Sequence, residues 1–549
     1  MEENLKQLQL PGNDIIKIVV YGPESTGKTT LANQLANHFN TEWAPEFARD
    51  YLQQKWDSKN EICTPDDLLP IAIGQMELEN SALQNANNYL FVDTCLMTTK
   101  VFSEIYYGFC DSKLDKAAKK HKYDLFFLTD IDVPWEQDDL RDSPNDRAIT
   151  FENFKQALIE NNKPFIILTG NPATRFQKAL SIIEGLTKAK KLGFSSHDFL
   201  QILDSKVPIS EIEKQLSIYQ NGIPKANLNR PAVIGDGILK FTEEEFQSYS
   251  LLFDSKKDNF KLKKFIPASG AASRMFKFLN EFLNEFDLEN ETINAYINRK
   301  NATELKIFLA GLEKFPFFKA VNNKILEEFS DLKSWNKDQQ NYCFIKMMLE
   351  ERHFDFSNKP KGVLPFHQYQ NQIVTPIEEH LKEGILYSSA KGVSNLHFTI
   401  SETHKLQFEN ILDKVKSKVE KMSGNKINIA FSHQQKHTDS IAVDSENKPF
   451  RNGNGELVFR PGGHGALIEN LNSLDADFVF IKNIDNVIQN EAETIALYKR
   501  GLAGLLIELQ EKVLSYLSKI DSISENETIE IVNFIEQQLN YKVNLDFSK

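Results

Sequence analysis

The sequence predicts an α/β protein in two parts. The first is a parallel sheet entered through a phosphate-binding loop. The second is a Rossmann-like α/β domain with a helical insertion and a helical C-terminal tail. Three observations predict it. The β-branched run Ile15–Val20 leads into Gly22-Pro23-Glu24-Ser25-Thr26-Gly27-Lys28-Thr29, which fits G-x-x-x-x-G-K-[ST] and is followed by apolar residues at helical spacing through Phe39. From about residue 14 to 188, short apolar runs alternate with helical stretches. A second strand-like run, Lys261–Ile266, then opens another α/β segment.

In the first part the strand candidates are Ile15–Val20, Tyr89–Val92, Leu125–Leu128 and Phe165–Leu168. From Leu192 to Gly222 the pattern is short and helical, and Ser210-x-x-Glu213 is a capping-box signature for a helix over Ile212–Tyr219. Asn221-Gly-Ile-Pro224 and Asn229-Arg-Pro231 mark a boundary region. Met275 to about His353 reads as helical, rich in Phe and Leu. Strands return at Leu396–Ile400, Ile427–Phe431, Ser440–Val443 and Phe478–Ile481, and residues 490–549 are helical. The expected domains are 1–188, a connector over 189–260, and 261–549 with the insertion at about 276–355.

A chain of 549 residues exceeds what one core serves. Its 41% hydrophobic and 26% charged residues are those of a soluble globular protein. No run of about 18 apolar residues predicts a membrane span, and the N-terminus lacks a signal-peptide profile. A net charge of −13 argues against nucleic acid or an anionic membrane as a partner. Cys63, Cys95, Cys110 and Cys343 form no C-x-x-C pair, which suits a reducing cytoplasm.

The glycine loop carries the first chemistry. Between strand and helix, free backbone N–H groups and the positive end of the helix dipole make an anion site. Gly22, Glu24, Ser25, Thr26, Gly27, Lys28, Thr29 and Thr30 are the expected nucleotide-binding residues. Gly27 allows close backbone approach, Lys28 reaches the β- and γ-phosphates, and the Thr29 hydroxyl ligates Mg²⁺. Asp93 ends a strand, as a magnesium-shell or base carboxylate does, and as many helix N-caps do. Asp130, Asp132, Trp135, Arg141 and Arg147 cluster after Leu125–Leu128, at the edge of a parallel sheet where ligands bind. An arginine there neutralises a migrating phosphoryl group; a solvated acidic loop anchored by Trp135 is the other reading.

Three blocks, Val20-Tyr-Gly22 through Thr30, Trp43-Ala-Pro-Glu46-Phe-Ala-Arg49-Asp-Tyr51, and Asp130-Ile-Asp132-Val-Pro-Trp135, resemble the nicotinamide riboside kinase domain of NadR-type NAD-salvage proteins, over about residues 14–188. The resemblance implies ATP- and Mg²⁺-dependent phosphorylation of a ribosyl 5′-hydroxyl. It places Lys28, Thr29 and Asp93 on nucleotide and metal, Glu46, Arg49, Asp132 and Trp135 on the nucleoside, and Arg141 on the lid. No adenylyltransferase or DNA-binding module is recognisable upstream, so transcriptional regulation is not expected.

In the second part, Phe265-Ile-Pro-Ala-Ser269-Gly270-Ala-Ala-Ser273-Arg274-Met275 reads as strand, small-residue loop and a helix beginning near Arg274. Small residues suit a loop whose backbone touches phosphates; a tight strand-to-helix turn explains them equally. With Pro360-Lys361, Arg460-Pro-Gly462-Gly463-His464-Gly465 and the strand end Lys482-Asn-Ile-Asp485, the order is similar to sugar-phosphate nucleotidyltransferases of the UDP-sugar pyrophosphorylase kind. Residues from about 190 to 549 also look like a bacterial family of unknown function. The pyrophosphorylase resemblance implies that Ser269, Gly270, Ser273 and Arg274 wrap a triphosphate and that Lys361 neutralises it. Gly462, Gly463, His464 and Gly465 would approach the nucleotide or sugar, and Asp485 would hold the metal. The sequence departs from that family: Ser-Gly-Ala-Ala-Ser replaces a doubly glycine loop, the helical stretch separates the Arg274 and Lys361 blocks, and a second metal-binding Asp is not evident.

His433 and His437 follow a strand and read as hydrogen-bond donors to substrate, or as a solvated loop, rather than as metal ligands. The expected function is a nucleoside kinase fused to a nucleotidyltransferase-like domain, acting on nucleosides and nucleotides. The alternative is a nucleotide-sensing P-loop ATPase with a catalytically silent second half.

Overall fold

The computed structural model describes residues 3–10, 14–135, 146–539 and 541–543. These divide into two compact units: Met1–Ile223 with Asp439–Arg460, and Pro224–Thr438 with Pro461–Lys549.

The first unit is a three-layer P-loop sheet. Strands β1 (Ile16–Tyr21), β2 (Trp43–Ala44), β3 (Tyr89–Asp93), β4 (Leu125–Thr129) and β5 (Phe165–Leu168) lie in the order β2-β3-β1-β4-β5, all parallel. A parallel sheet is covered on both faces, so β1 is a near-continuous apolar run, interrupted only by the half-buried Lys17, rather than alternating. Ile16, Ile18 and Val20 face one core with α1 (Lys28–Phe39) and α7 (Pro172–Lys191). Val19 and Tyr21 face the other, with α3 (Leu68–Asn85), α4 (Leu96–Tyr107), α5 (Ser112–Lys120) and α6 (Arg147–Glu160). Helix α2 (Phe47–Lys59) leads into α3.

Two further helices, α8 (Ser196–Ser205) and α9 (Ile209–Asn221), cover α7. Gly185 makes room for Phe199, because a Cβ there would sit 3.0 Å from its ring. The capping box forms at Ser195 and Asp198, not at Ser210 and Glu213. Pro208, extended at ψ 139, is the N-cap of α9 and starts that helix before Ser210.

In the second unit, two short pairs, β6 (Val233–Ile234) with β7 (Gly237–Ile238) and β9 (His367–Gln368) with β10 (Ile373–Val374), stand apart from the main sheet. That sheet contains β8 (Leu262–Pro267), β11 (Ser389–Ala390), β12 (Val393–Thr399), β13 (Lys426–Ser432) and β16 (Phe478–Ile481). Its parallel strands run β13-β12-β8-β16. Helix α10 (Glu243–Lys256), the insertion α11 (Lys277–Glu285) to α15 (Lys337–Leu349), and then α16 (Pro376–Tyr387), α17 (Lys405–Ser423), α18 (Ile468–Asn472), α19 (Ala492–Ser518) and α20 (Glu525–Gln537) complete it. The insertion has its own core, including Phe282, Phe308, Phe317 and Met348. Gly504 lets α19 lie against α10, where a Cβ would meet the Tyr249 carbonyl at 1.9 Å. The turn after β8 is a 3₁₀ turn, Ala272–Arg274, and the helix proper begins at Lys277 rather than Arg274. Among the described residues no helix is long and apolar enough to cross a membrane.

One expected strand lies elsewhere. Ser440–Val443 does not join the second sheet: β14 (Ser440–Ile441) pairs antiparallel with β15 (Phe459–Arg460). This hairpin belongs to the first unit. Ile441 and Leu457 enter the core of α7, α8 and α9, Arg451 forms two hydrogen bonds of 2.6 and 2.9 Å with the Asp198 carboxylate, and Gln215 and Gln201 accept from the Ile441 and Leu457 amides.

Candidate active site

The loop after β1 leaves the carboxyl edge of the central strand, the position a ligand site of an open parallel sheet occupies. Gly22 stands at φ 142, and a Cβ on it would lie 2.7 Å from the Thr129 hydroxyl. Ser25 and Gly27 are left-handed, at φ 53 and 78. Such turns direct successive amides toward one concavity. Gly27 is the N-cap of α1, and no side chain caps that first turn. Thr26 is fixed from behind, its hydroxyl bonding to the Pro23 carbonyl and the Thr129 hydroxyl at 2.8 and 2.7 Å. The buried Lys28 ammonium donates to the Pro23 carbonyl at 2.8 Å.

Asp93 is the end of β3, in register with Val20. Its Oδ2 accepts the Thr29 hydroxyl at 2.5 Å. Its Oδ1 is buried without a partner among the described residues. Burial, with Glu46 nearby, pushes the Asp93 carboxyl from its ordinary 3.8 up to about 6, against the opposing pull of Lys28, Thr29 and Arg49. A hydroxyl and a vacant carboxylate oxygen side by side are a donor set that fits Mg²⁺, which takes few protein ligands and completes its shell with water and phosphate.

A cavity of about 390 Å³ lies over the loop, lined by Glu24 to Leu31, Glu46, Arg49, Phe102 and Arg175. A second, of about 450 Å³, shares Glu24, Glu46, Ala48, Leu52 and Phe102 with it. The second is walled by Trp56, Phe102, Tyr106 and Tyr107, carries Glu61 besides the shared carboxylates, and has no Lys, Arg or His among its described lining residues. Glu46 sits at the junction because Gln75, buried in α3, grips the chain on both sides of it: it accepts from the Phe47 amide at 2.8 Å and donates to the Pro45 carbonyl at 3.1 Å.

The remaining expected residues are placed as follows. Thr30 lines the first cavity. Asp132 forms an ion pair with Arg175, which lines the first cavity, and accepts the Gly170 amide at 2.5 Å. The Trp135 ring lies 5.7 Å from the Arg147 guanidinium. Arg141 lies outside the described residues. Two arginines hold the loop, Arg147 of the expected cluster and Arg175, which the sequence did not single out. Arg175, 3% exposed, donates to the Thr26 and Asp130 carbonyls at 2.6 and 2.8 Å, and Arg147 to the Val133 and Ser25 carbonyls at 3.0 and 3.4 Å.

In the second unit, Ser269, Gly270, Ser273 and Arg274 follow β8 and are half-buried to exposed. Lys361 lies beside them and pairs with Asp485 at 2.5 Å. Gly462 is required by its own neighbours, since a Cβ would lie 2.9 Å from the Thr438 carbonyl. Gly463 and Gly465 have open space at that position; the His464 side chain is outside the described ones. His433 bonds to the Ile400 carbonyl at 3.0 Å and His437 to Glu469 at 2.6 Å. Among the described residues no group of three or more His, Cys, Asp or Glu is arranged to hold a metal.

Sheet, glycine loop, lysine and strand-end carboxylate define the first unit as a P-loop nucleotide-binding fold, and a family model described as an AAA domain matches residues 17–175. The chain as a whole belongs to the DUF4301 family, a domain of unknown function whose model matches residues 195–549. It is 33% identical over 151 residues to the trifunctional NAD biosynthesis/regulator protein NadR of Salmonella typhimurium, covering 27% of this chain and 37% of that protein. With NadR of Escherichia coli it shares 33% over 147 residues, 26% of this chain and 36% of the relative. The chain thus spans little more than a third of the length of these curated relatives. A crystal structure of NadR protein in complex with NR is 21% identical, covers 31% of this chain and 50% of that one, and has a TM-score of 0.26.

Proposed function

We propose that the first unit is a kinase that transfers the γ-phosphoryl group of ATP to the 5′-hydroxyl of a nucleoside with a cationic aromatic base, nicotinamide riboside being the substrate expected. One observation carries this reading: a phosphate-loop cavity and an aromatic-walled cavity meet at Glu24, Glu46 and Phe102, so that donor and acceptor face each other. Phosphoryl transfer is catalysed chiefly by positioning and charge stabilisation, and the groups needed are present. The loop amides and Lys28 hold the phosphates, the ammonium exchanging the Pro23 carbonyl for a phosphate oxygen. Thr29 and Asp93 would hold Mg²⁺, which would supply positive charge against the phosphates. Arg175 keeps the Thr26 carbonyl turned away from the anion. Glu46 holds the acceptor hydroxyl.

The second cavity supports the choice of nucleoside. Aromatic faces and carboxylates, with no cation among the described lining residues, favour a pyridinium ring through cation–π attraction, roughly 0.5–2 kcal/mol per well-placed ring, and disfavour an anionic base. The NadR relationship of residues in this part of the chain supports the same substrate. The test is ADP release with nicotinamide riboside, adenosine and uridine. A clear preference in kcat/KM for the cationic riboside is expected; turnover without preference refutes the nucleoside assignment.

For the second unit we propose a nucleotide site at the carboxyl edge of its parallel sheet, where Ser269–Arg274, Lys361 and Asp485 come together, with nucleotidyl transfer as its chemistry. The kinase would then make a monophosphate that the second site activates. Incubation with ATP, Mg²⁺ and nicotinamide riboside should release pyrophosphate. Monophosphate formed without pyrophosphate refutes transfer and favours the silent, nucleotide-sensing alternative.

A further inference from the structure

The chain enters the second sheet at β8, adds β12 and β13 on one side, and returns on the other side as β16. Strand order therefore reverses between β8 and β16, and open α/β sheets bind ligands outside the carboxyl ends of strands at such a reversal. Three backbone segments are stitched together there. The Lys361 amide donates to the Gly270 carbonyl at 3.3 Å, Ala272 donates to Lys359 at 3.0 Å, and Ile484 donates to Pro267 at 3.1 Å. Gly362 fits this seam because a Cβ would lie 3.0 Å from Ile484 and 3.1 Å from Phe408. Across the seam Lys361 Nζ and Asp485 Oδ2 are 2.5 Å apart, with side chains 26% and 39% exposed.

We propose that the Lys361–Asp485 ion pair is a latch that makes a divalent cation and a polyphosphate bind this crevice only together. The inference rests on reading the crevice as a nucleotide site. Magnesium is usually held by one or two carboxylates plus substrate phosphates, not by an all-protein cage. Asp485 is a single carboxylate, and its charge is already compensated by Lys361. A cation arriving alone must displace the ammonium, and a polyphosphate arriving alone must draw that ammonium from its carboxylate. Arriving together, they exchange one ion pair for two, Lys361 with phosphate and Asp485 with the cation, so neither protein charge is left unpaired. Because the coupling is thermodynamic, each ligand tightens the other by the same factor.

The test uses the full chain carrying Lys28→Ala, to silence the P-loop, with Mn²⁺ followed by its electron-spin resonance and inorganic tripolyphosphate followed by calorimetry. Each alone should bind weakly, and each should tighten the other about tenfold or more. Lys361→Met should tighten Mn²⁺ alone by up to about fivefold, the worth of an exposed ion pair, and lower the coupling by the same factor. Asp485→Asn should tighten tripolyphosphate alone and lessen the gain that Mn²⁺ gives its binding. Thermal melts establish that both variants are folded. If Lys361→Met weakens Mn²⁺ or leaves it unchanged while tripolyphosphate still binds, the latch is overturned. If neither variant alters tripolyphosphate binding, the nucleotide reading of the crevice falls with it.

Discussion

Asp93 offers a quantitative test of the first site. Its carboxyl is fully buried and is pushed from 3.8 up to about 6, chiefly by desolvation. The folded protein therefore holds that proton more tightly than the unfolded chain does. Linkage gives the sign: the contribution to stability is complete below pH 4 and lost as pH rises through 6, after which it is flat. At about 1.4 kcal/mol per pH unit, the loss is about 3 kcal/mol in the ligand-free protein. Asp93→Asn cannot titrate, so the stability difference between wild type and variant should fall by that order between pH 4 and 7. Urea titration followed by tryptophan fluorescence reads it, because Trp43, Trp56 and Trp135 all lie in the first unit. Metal binding should reverse the relation, since a cation at Thr29 and Asp93 favours the charged carboxylate. ATP with Mg²⁺ should then lose about tenfold in affinity per pH unit below 6 in the wild type and show no such slope in the variant. A stability difference that does not change between pH 4 and 7 would refute the assignment of Asp93 as a carboxylate held ready for a cation.

Other expectations are separate from this one. Lys28→Ala should abolish ATP turnover with the melting transition retained; residual turnover near the wild-type rate removes the loop from the reaction. Arg175→Ala leaves Asp132 and two carbonyls without their partner and should destabilise the first unit by about 3 kcal/mol or more, with a raised KM for ATP, measured by urea titration and initial rates. Phe102→Ala opens the wall between the two cavities and should cost the cationic riboside about 2- to 30-fold in kcat/KM, while the aromatic replacement Phe102→Tyr costs less. Arg451→Ala removes a two-bond grip on the nearly buried Asp198 and should lower the stability of the first unit by about 1–3 kcal/mol. Salt should not restore it.

The first site was legible because strand, loop and helix N-terminus follow one another within a few residues, and local sequence states their chemistry. Asp93 was legible for the same reason, lying at the end of a short apolar run. Arg175 was not, because on α7 it looks like any charged residue of an amphipathic helix; only its place just after the carboxyl end of β5 marks it. The aromatic wall was hidden in a similar way. Trp56 lies on α2 and Phe102, Tyr106 and Tyr107 on α4, segments far apart in the chain, and nothing local says that they face one void. The strand at Ser440 was correctly expected as extended backbone and wrongly given to the second sheet, since alternation fixes which side a residue faces and not which chain segment it pairs with. At Ser210 a good capping sequence was overruled by the proline two residues earlier.

The hairpin at Asp439–Arg460 has a practical consequence for dissection of this protein. The DUF4301 match begins at Ser195 and the AAA match ends at Arg175, which invites a cut between them. A fragment ending there would surrender Phe199, Ile212, Ile441 and Leu457 and leave Ile183, Leu186 and Ala189 facing water. Kinship by sequence and compactness of the fold follow different borders here, and a fragment that keeps the first unit's core will have to respect the latter.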